Sequence, residues 1–248
     1  MAASVNARFE NNCRWDRNFF LLYVAFIWIG ICMGFGLDLA DHFERHEPPY
    51  PLIVHFHAVA FVGWLALLTV QVLLIRAKRA DIHRKLGVAG VVLACVMLLL
   101  GPMTAIIVDR LQLGTPESDP AFLSVQLTDI LAFAGFVTAA VALRNRPAAH
   151  KRLMLLAILY ISEAGFSRWL APDLRALLGV GFWAMVATVY LASDVLILGL
   201  GVYDFVTRRR LHPAYIAAVP WVLAIQLTAV RLYFSPGWKV VALRILGH

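Results

Sequence analysis

Charge is what this chain has least of. Only 15% of its 248 residues are Asp, Glu, Lys or Arg, against 61% hydrophobic residues and a mean hydropathy of +0.77. A soluble domain carries about 25% charged and about 45–50% apolar residues. The apolar excess falls in long uninterrupted runs, which excludes a soluble protein with a larger core. Cysteine is nearly as scarce. Cys13, Cys32 and Cys95 are scattered, with no CxxC. That excludes a disulfide framework, and Cys32 and Cys95, inside apolar runs, read as small core residues. The familiar catalytic signatures are missing too. No P-loop, GxSxG, HExxH or CxxCH occurs, and the GVGF run at 179–182 is too short for a dinucleotide fingerprint and sits at a helix start. The last apolar run holds no lysine that would form a retinal Schiff base.

What is present is length of apolar run. A spanning helix needs about 20 mostly apolar residues, and seven such runs can be drawn, at roughly 19–37, 52–75, 86–107, 121–143, 153–171, 181–204 and 213–234. The expected fold is therefore all-α, a polytopic transmembrane helical bundle of about seven spans. The run 153–171 is the shortest, and a failure of it to cross would reverse the parity. The first run is longer than a signal-peptide core of about 7–15 residues and no small-x-small cleavage site follows it. It reads as an uncut signal anchor. Gly30 and Gly34 within it form a small-xxx-small pair through which another helix can approach. After Ser235-Pro236-Gly237, the tail to His248 is short and amphipathic, suited to the membrane interface.

The net charge is +7 and the pI about 9.7. The basic residues sit in short turns between apolar runs, so they read as membrane orientation and not as a nucleic-acid surface. Fifteen of the 22 Lys and Arg fall in residues 1–18 and in the turns 76–85, 144–152 and 205–212. The positive-inside rule then puts the amino terminus in the cytoplasm. Three of these turns share one pattern, Arg79-x-x-x-His83, Arg146-x-x-x-His150 and Arg208-x-x-x-His212. It suggests one leading helix followed by three hairpins. Histidines so placed more often cap the adjacent helix than form a proton or metal site.

Ionisable residues inside spans are costly and mark function by default. At about 1.5 Å per residue, His55, His57, Gln126, Asp129, Glu163 and Gln226 all lie roughly 5–12 Å below the outer end of their spans, with Asp194 deepest, near the midplane. His57 shares a stripe with Trp64 and Gln71, while His55 is about 200° away around the helix, so His57 is the better inward candidate. Tyr160 shares a face with Glu163. The expected site is an outward-opening polar cavity lined by His57, Gln126, Asp129, Tyr160, Glu163, Asp194 and Gln226. Two chemistries compete for it. Asp129 and Glu163 can pair with Arg168 and Arg231 in a structural network. Alternatively, His57, Asp129 and Glu163 can converge on a divalent metal such as Zn, Fe or Mn. Haem b is a further option, needing His55 or His57 to face His42 or His46, or a pair drawn from His83, His150 and His212.

The segment HFHAVAFVGWLALLTVQVLLIRAKRADIHRKLG, with HKRLMLLA at 150–157 and HP at 212–213, resembles uncharacterised bacterial multi-pass membrane proteins over most of the chain. The resemblance implies an inner-membrane location and carries over no catalytic role. Three functions stay open: binding or transport of a small polar solute, ion or proton; a metal- or haem-containing redox enzyme; and a non-catalytic accessory subunit. The expected partners are the lipid bilayer and either a second copy or a membrane complex, with no nucleic acid.

Overall fold

The computed structural model describes residues 15–248. Most of the amino-terminal segment expected at 1–18, with Cys13 and Arg14, lies outside the described residues. The described chain is helical throughout: α1 (Asp16–Glu44), α2 (Leu52–Arg76), α3 (Ala80–Gln112), a 3-10 turn (Pro120–Phe122), α4 (Leu123–Ala142), α5 (Pro147–Leu178), α6 (Phe182–Arg208), α7 (Pro213–Tyr233) and α8 (Pro236–Ile245). Seven of these elements are long and apolar enough to cross a membrane. The chain has the architecture of a multi-pass integral membrane protein. The starts of α1, α3, α5 and α7 share one side of the bundle, called here the amino-terminal side.

The centre of the bundle is α5, which packs most extensively against α4, α1 and α6. Its most apolar stretch is 61% buried, against 17% for α2, although its mean hydropathy of 1.3 is the lowest of the seven. A helix surrounded by other helices meets little lipid, so its polar residues cost less than they would on an outer helix. This explains the main departure from the expected boundaries. The fifth span, expected at 153–171, is a 32-residue helix that begins with Pro147 and runs through Pro172. Lys151 and Arg152, expected in a turn, belong to its first turns because acids on α1 and α6 neutralise them. Likewise, the first span, expected to end near residue 37, stays helical to Glu44, helped by the Arg45–Asp41 pair one turn apart.

Gly30 and Gly34 do admit another helix. A Cβ on Gly34 would lie 1.9 Å from the Gly165 carbonyl oxygen, and one on Gly165 would lie 2.8 Å from that of Gly30. The α1–α5 crossing is a backbone-to-backbone contact that only glycine allows. Cys32 and Cys95 are not core residues: both are exposed on the outside of the bundle. The tail forms α8. Its Trp238 indole donates to Ala121 O at 3.1 Å, and Arg110 from α3 donates to Leu246 O at 2.9 Å, holding α8 over the start of α4.

Candidate functional site

Six of the seven expected residues gather across α4, α5, α6 and α7, but not around an open cavity. Glu163 (2% exposed), Tyr160 (1%) and Gln226 (2%) are sealed, and Asp129, Asp194 and Gln126 are half-buried. The Asp129 and Glu163 carboxyl groups lie within hydrogen-bonding reach of one another. Ser193 Oγ donates to Glu163 Oε2 at 3.5 Å and to Tyr190 O at 3.0 Å. Gln226 Nε2 donates to Asp194 Oδ1 at 2.7 Å, and Tyr160 Oη to Val222 O at 3.2 Å. Tyr190, wholly buried, completes the wall beside both carboxyls.

His57 stands apart. It stacks on Phe61 with centroids 3.9 Å apart, on the α2–α3 side, where its ring faces the Leu100 carbonyl. The structure therefore does not bring His57, Asp129 and Glu163 together, and no group of three His, Cys, Asp or Glu side chains placed to hold a metal is found among the described residues. Nor do Arg168 and Arg231 neutralise the acids. Arg168 lies 3.7 Å from Asp38 and over the Phe35 ring, while Arg231 lines a crevice of about 530 Å³ with Phe182, Thr228 and Phe234. The ion pairs among the described residues all lie away from Asp129, Glu163 and Asp194. The histidines on the side opposite the amino terminus are engaged locally. His42 bonds Glu47 at 3.0 Å and stacks on Tyr50. His46, four residues on, falls past the helix end at φ 55° and bonds Glu44 O, so the two do not share a helical face.

A second buried cluster, on the amino-terminal side, was not among the expected residues. Arg152, wholly buried, donates Nε to Asp204 Oδ2 at 2.7 Å, a second N–H to Asp204 Oδ1, and a third to Ala148 O at 2.7 Å. Arg208 donates to both Asp16 oxygens at 2.8 Å, Lys151 to Asp16 Oδ2 at 2.9 Å, and Tyr203 to Asp16 Oδ1. Phe19 stacks on Tyr203 at 3.7 Å. The start of α1 is thus latched to α5 and α6. The positive-inside count used Lys151, Arg152 and Arg208 as turn charges, which hid their pairing. The signal available was Asp204 one helical turn before Arg208.

His212 adjoins this latch and caps α7, as expected: its Nδ1 accepts from Ala214 N at 3.0 Å. Burial first, and the Arg152 guanidinium second, push its pKa down to about 4. The unfolded chain therefore takes up this proton first, and stability falls as pH drops from about 6.5 towards 4. His212→Asn, which keeps a capping acceptor, is expected to flatten that part of the profile. Thermal unfolding midpoints of both proteins across this range check it, and parallel profiles would refute it. Asp16 acts in the same direction at lower pH. Burial opposes its charge, but bonds from Arg208, Tyr203 and Lys151 outweigh burial and hold its carboxyl below the usual range.

The repeated turn motif resolves into three different local roles. His150 Nδ1 bonds Ala140 O at 2.8 Å, and its ring stands perpendicular to that of His83 with centroids 6.3 Å apart. Arg79 bonds Asp81. Comparison with protein-family models, curated proteins and solved structures finds no match for this chain.

Proposed function

We propose that this chain is a proton-handling protein of a bacterial inner membrane, with its amino terminus in the cytoplasm, that moves a proton, alone or with a small polar solute, through the α4–α7 polar cluster. The observation that carries this reading is the Asp129–Glu163 pair. Two ionised carboxylates offer acceptors only. Side by side in a bundle interior they repel strongly, because the low dielectric leaves the repulsion unscreened, and no ion pair among the described residues relieves them. A proton held between the two removes one charge and creates a donor–acceptor pair. Ser193, Tyr190 and the Asp194–Gln226 pair supply the polar surroundings that let the proton leave again. Intramembrane carboxyls so arranged are the usual parts of a proton relay.

The test is proton uptake into proteoliposomes carrying an internal pH-sensitive dye, under an imposed pH gradient. Asp129→Asn and Glu163→Gln are each expected to slow uptake by about 100-fold or more, the scale of losing a positioned proton carrier. Wild-type protein no faster than empty liposomes, or folded variants at the wild-type rate, would sink the reading.

A further inference from the structure

We propose that protons reach the Asp129–Glu163 pair from the side opposite the amino terminus, along the seam between α3 and α4, with Asp109 as the exchange group at its mouth. This rests on the proton reading of that pair.

The seam is defined by register. The two helices run antiparallel. Gln126 Nε2 on α4 donates to Asp109 Oδ1 on α3 at 3.4 Å. Deeper in, Gly101 on α3 faces Ile130 on α4, whose Cδ1 would lie 2.5 Å from an added Cβ. Thr104, between these two levels on α3, therefore sits at about the height of Asp129. Each of the four polar residues along this line has a buried atom with no hydrogen-bond partner among the described residues: Asp109 Oδ2, Gln126 Oε1, Thr104 Oγ1 and Asp129 Oδ1. Thr104 is itself only 8% exposed. Buried polar atoms are rarely left unbonded. Gln126 and Asp129 share one face of α4 a turn apart, while Asp109 and Thr104 stand on two flanks of α3 about 140° apart, and water between the two helices would satisfy all four.

The spacing fits. From Asp109 and Gln126 to Thr104 and Asp129 is three to five residues, about 5–8 Å along the helix axes. That is too far for one direct hydrogen bond and suits one or two bridging waters. A proton leaves Asp109 Oδ2 for the first water, each hop breaks one O–H bond and forms the next, and Asp129 Oδ1 receives it. Asp109 is then reprotonated from bulk water, and nothing is oxidised or reduced. Gln126 and Thr104 hold the waters. The neighbouring charges leave the mouth open to protons. Asp119 is the acid beside Asp109, bonded to Tyr233 at 2.8 Å, and the Arg110 guanidinium is turned away onto the carbonyls of Leu246 and Ile245.

The experiment is infrared spectroscopy of purified protein moved from H2O to D2O, following the carbonyl band of protonated carboxyl groups. The band lost in Glu163→Gln identifies the pair. Asp109→Asn and Thr104→Val, both close in volume to the originals, are expected to slow deuteration of that band by about ten-fold, the scale of one lost hydrogen bond in the path. Thr104→Ser, which keeps the hydroxyl, should exchange as the wild type does. Exchange at the wild-type rate in either Asp109→Asn or Thr104→Val overturns the path and leaves the pair's own reading standing. Absence of any Glu163-dependent band in the wild type overturns both.

Discussion

Arg152→Met is expected to cost about 3–5 kcal/mol of stability, the usual result of removing one partner of a buried ion pair. Arg152 and Asp204 are both 0% exposed, and Arg152 supplies the two short contacts that satisfy the carboxylate. Without it, the ion pair left to Asp204 among the described residues is that with Arg208 at 3.7 Å, too long for a hydrogen bond. Arg208 is itself committed to Asp16, so it cannot move across without releasing the start of α1. The effect should therefore spread: α1 loosens, and proteolysis near residue 16 accelerates. The double variant Arg152→Met/Asp204→Leu should recover most of the loss, because a buried pair is worth little relative to well-packed apolar groups. Thermal unfolding in detergent, followed by circular dichroism, measures all three proteins. A single variant as stable as the wild type would show that the pair is hydrated in the membrane-embedded protein. A double variant no better than the single would assign the loss to packing.

Gly34→Leu is the second large effect, at about 3 kcal/mol or more, the upper end of overpacking costs. The obstacle is the Gly165 carbonyl, 1.9 Å from where the Cβ would sit. A flexible side chain could swing aside, but a backbone carbonyl moves only if α5 moves, and α5 is packed on α4, α6 and α7 as well. The two helices must separate, and the contact that drives their association in lipid goes with them. Gly36→Leu provides the control on the same helix. Nothing lies within 4 Å of its added Cβ, so it should be neutral or stabilising by about 1 kcal/mol through helix propensity. Equal unfolding midpoints for the two variants would refute the close crossing.

Much of the architecture was legible in the runs of apolar residues, because lipid imposes a length and a composition on whatever crosses it. Helical phase also told which of two histidines turns inward: His57 is half-buried while His55 is exposed. The pattern was least informative where the bundle is most buried. The hydropathy of α5 is low because its neighbours are protein, so a rule written for lipid-facing helices draws it too short.

The clustering of Asp129, Glu163 and Gln226 followed from depth counting, since antiparallel spans of similar length bring equal depths together. Tyr160 came from sharing a helical face with Glu163, and Asp194, counted deepest, is nonetheless bonded to Gln226. Pairing did not follow. Depth says nothing about which face of one helix meets which face of another, so Arg168 and Arg231 were equally good partners for the acids until packing turned them to Asp38 and to an outer crevice. The amino-terminal latch shows the same limit. Arg152 and Asp204 are 52 residues apart, and nothing local distinguishes a lysine or arginine that faces lipid phosphate from one that finds a carboxylate. Asp109 was hidden in what read as a loop, because the end of α3 extends beyond its apolar core.

The sequence by itself determined the number of helices long and apolar enough to cross a membrane and the position of each polar group along its helix. These depend on residue order along single helices and on the energy of transfer into lipid. Only the tertiary structure decided which charges are paired and which two carboxyls are left facing each other. Those outcomes depend on the rotation and crossing of helices far apart in the chain, fixed by contacts such as Gly34 against Gly165 that no single helix contains.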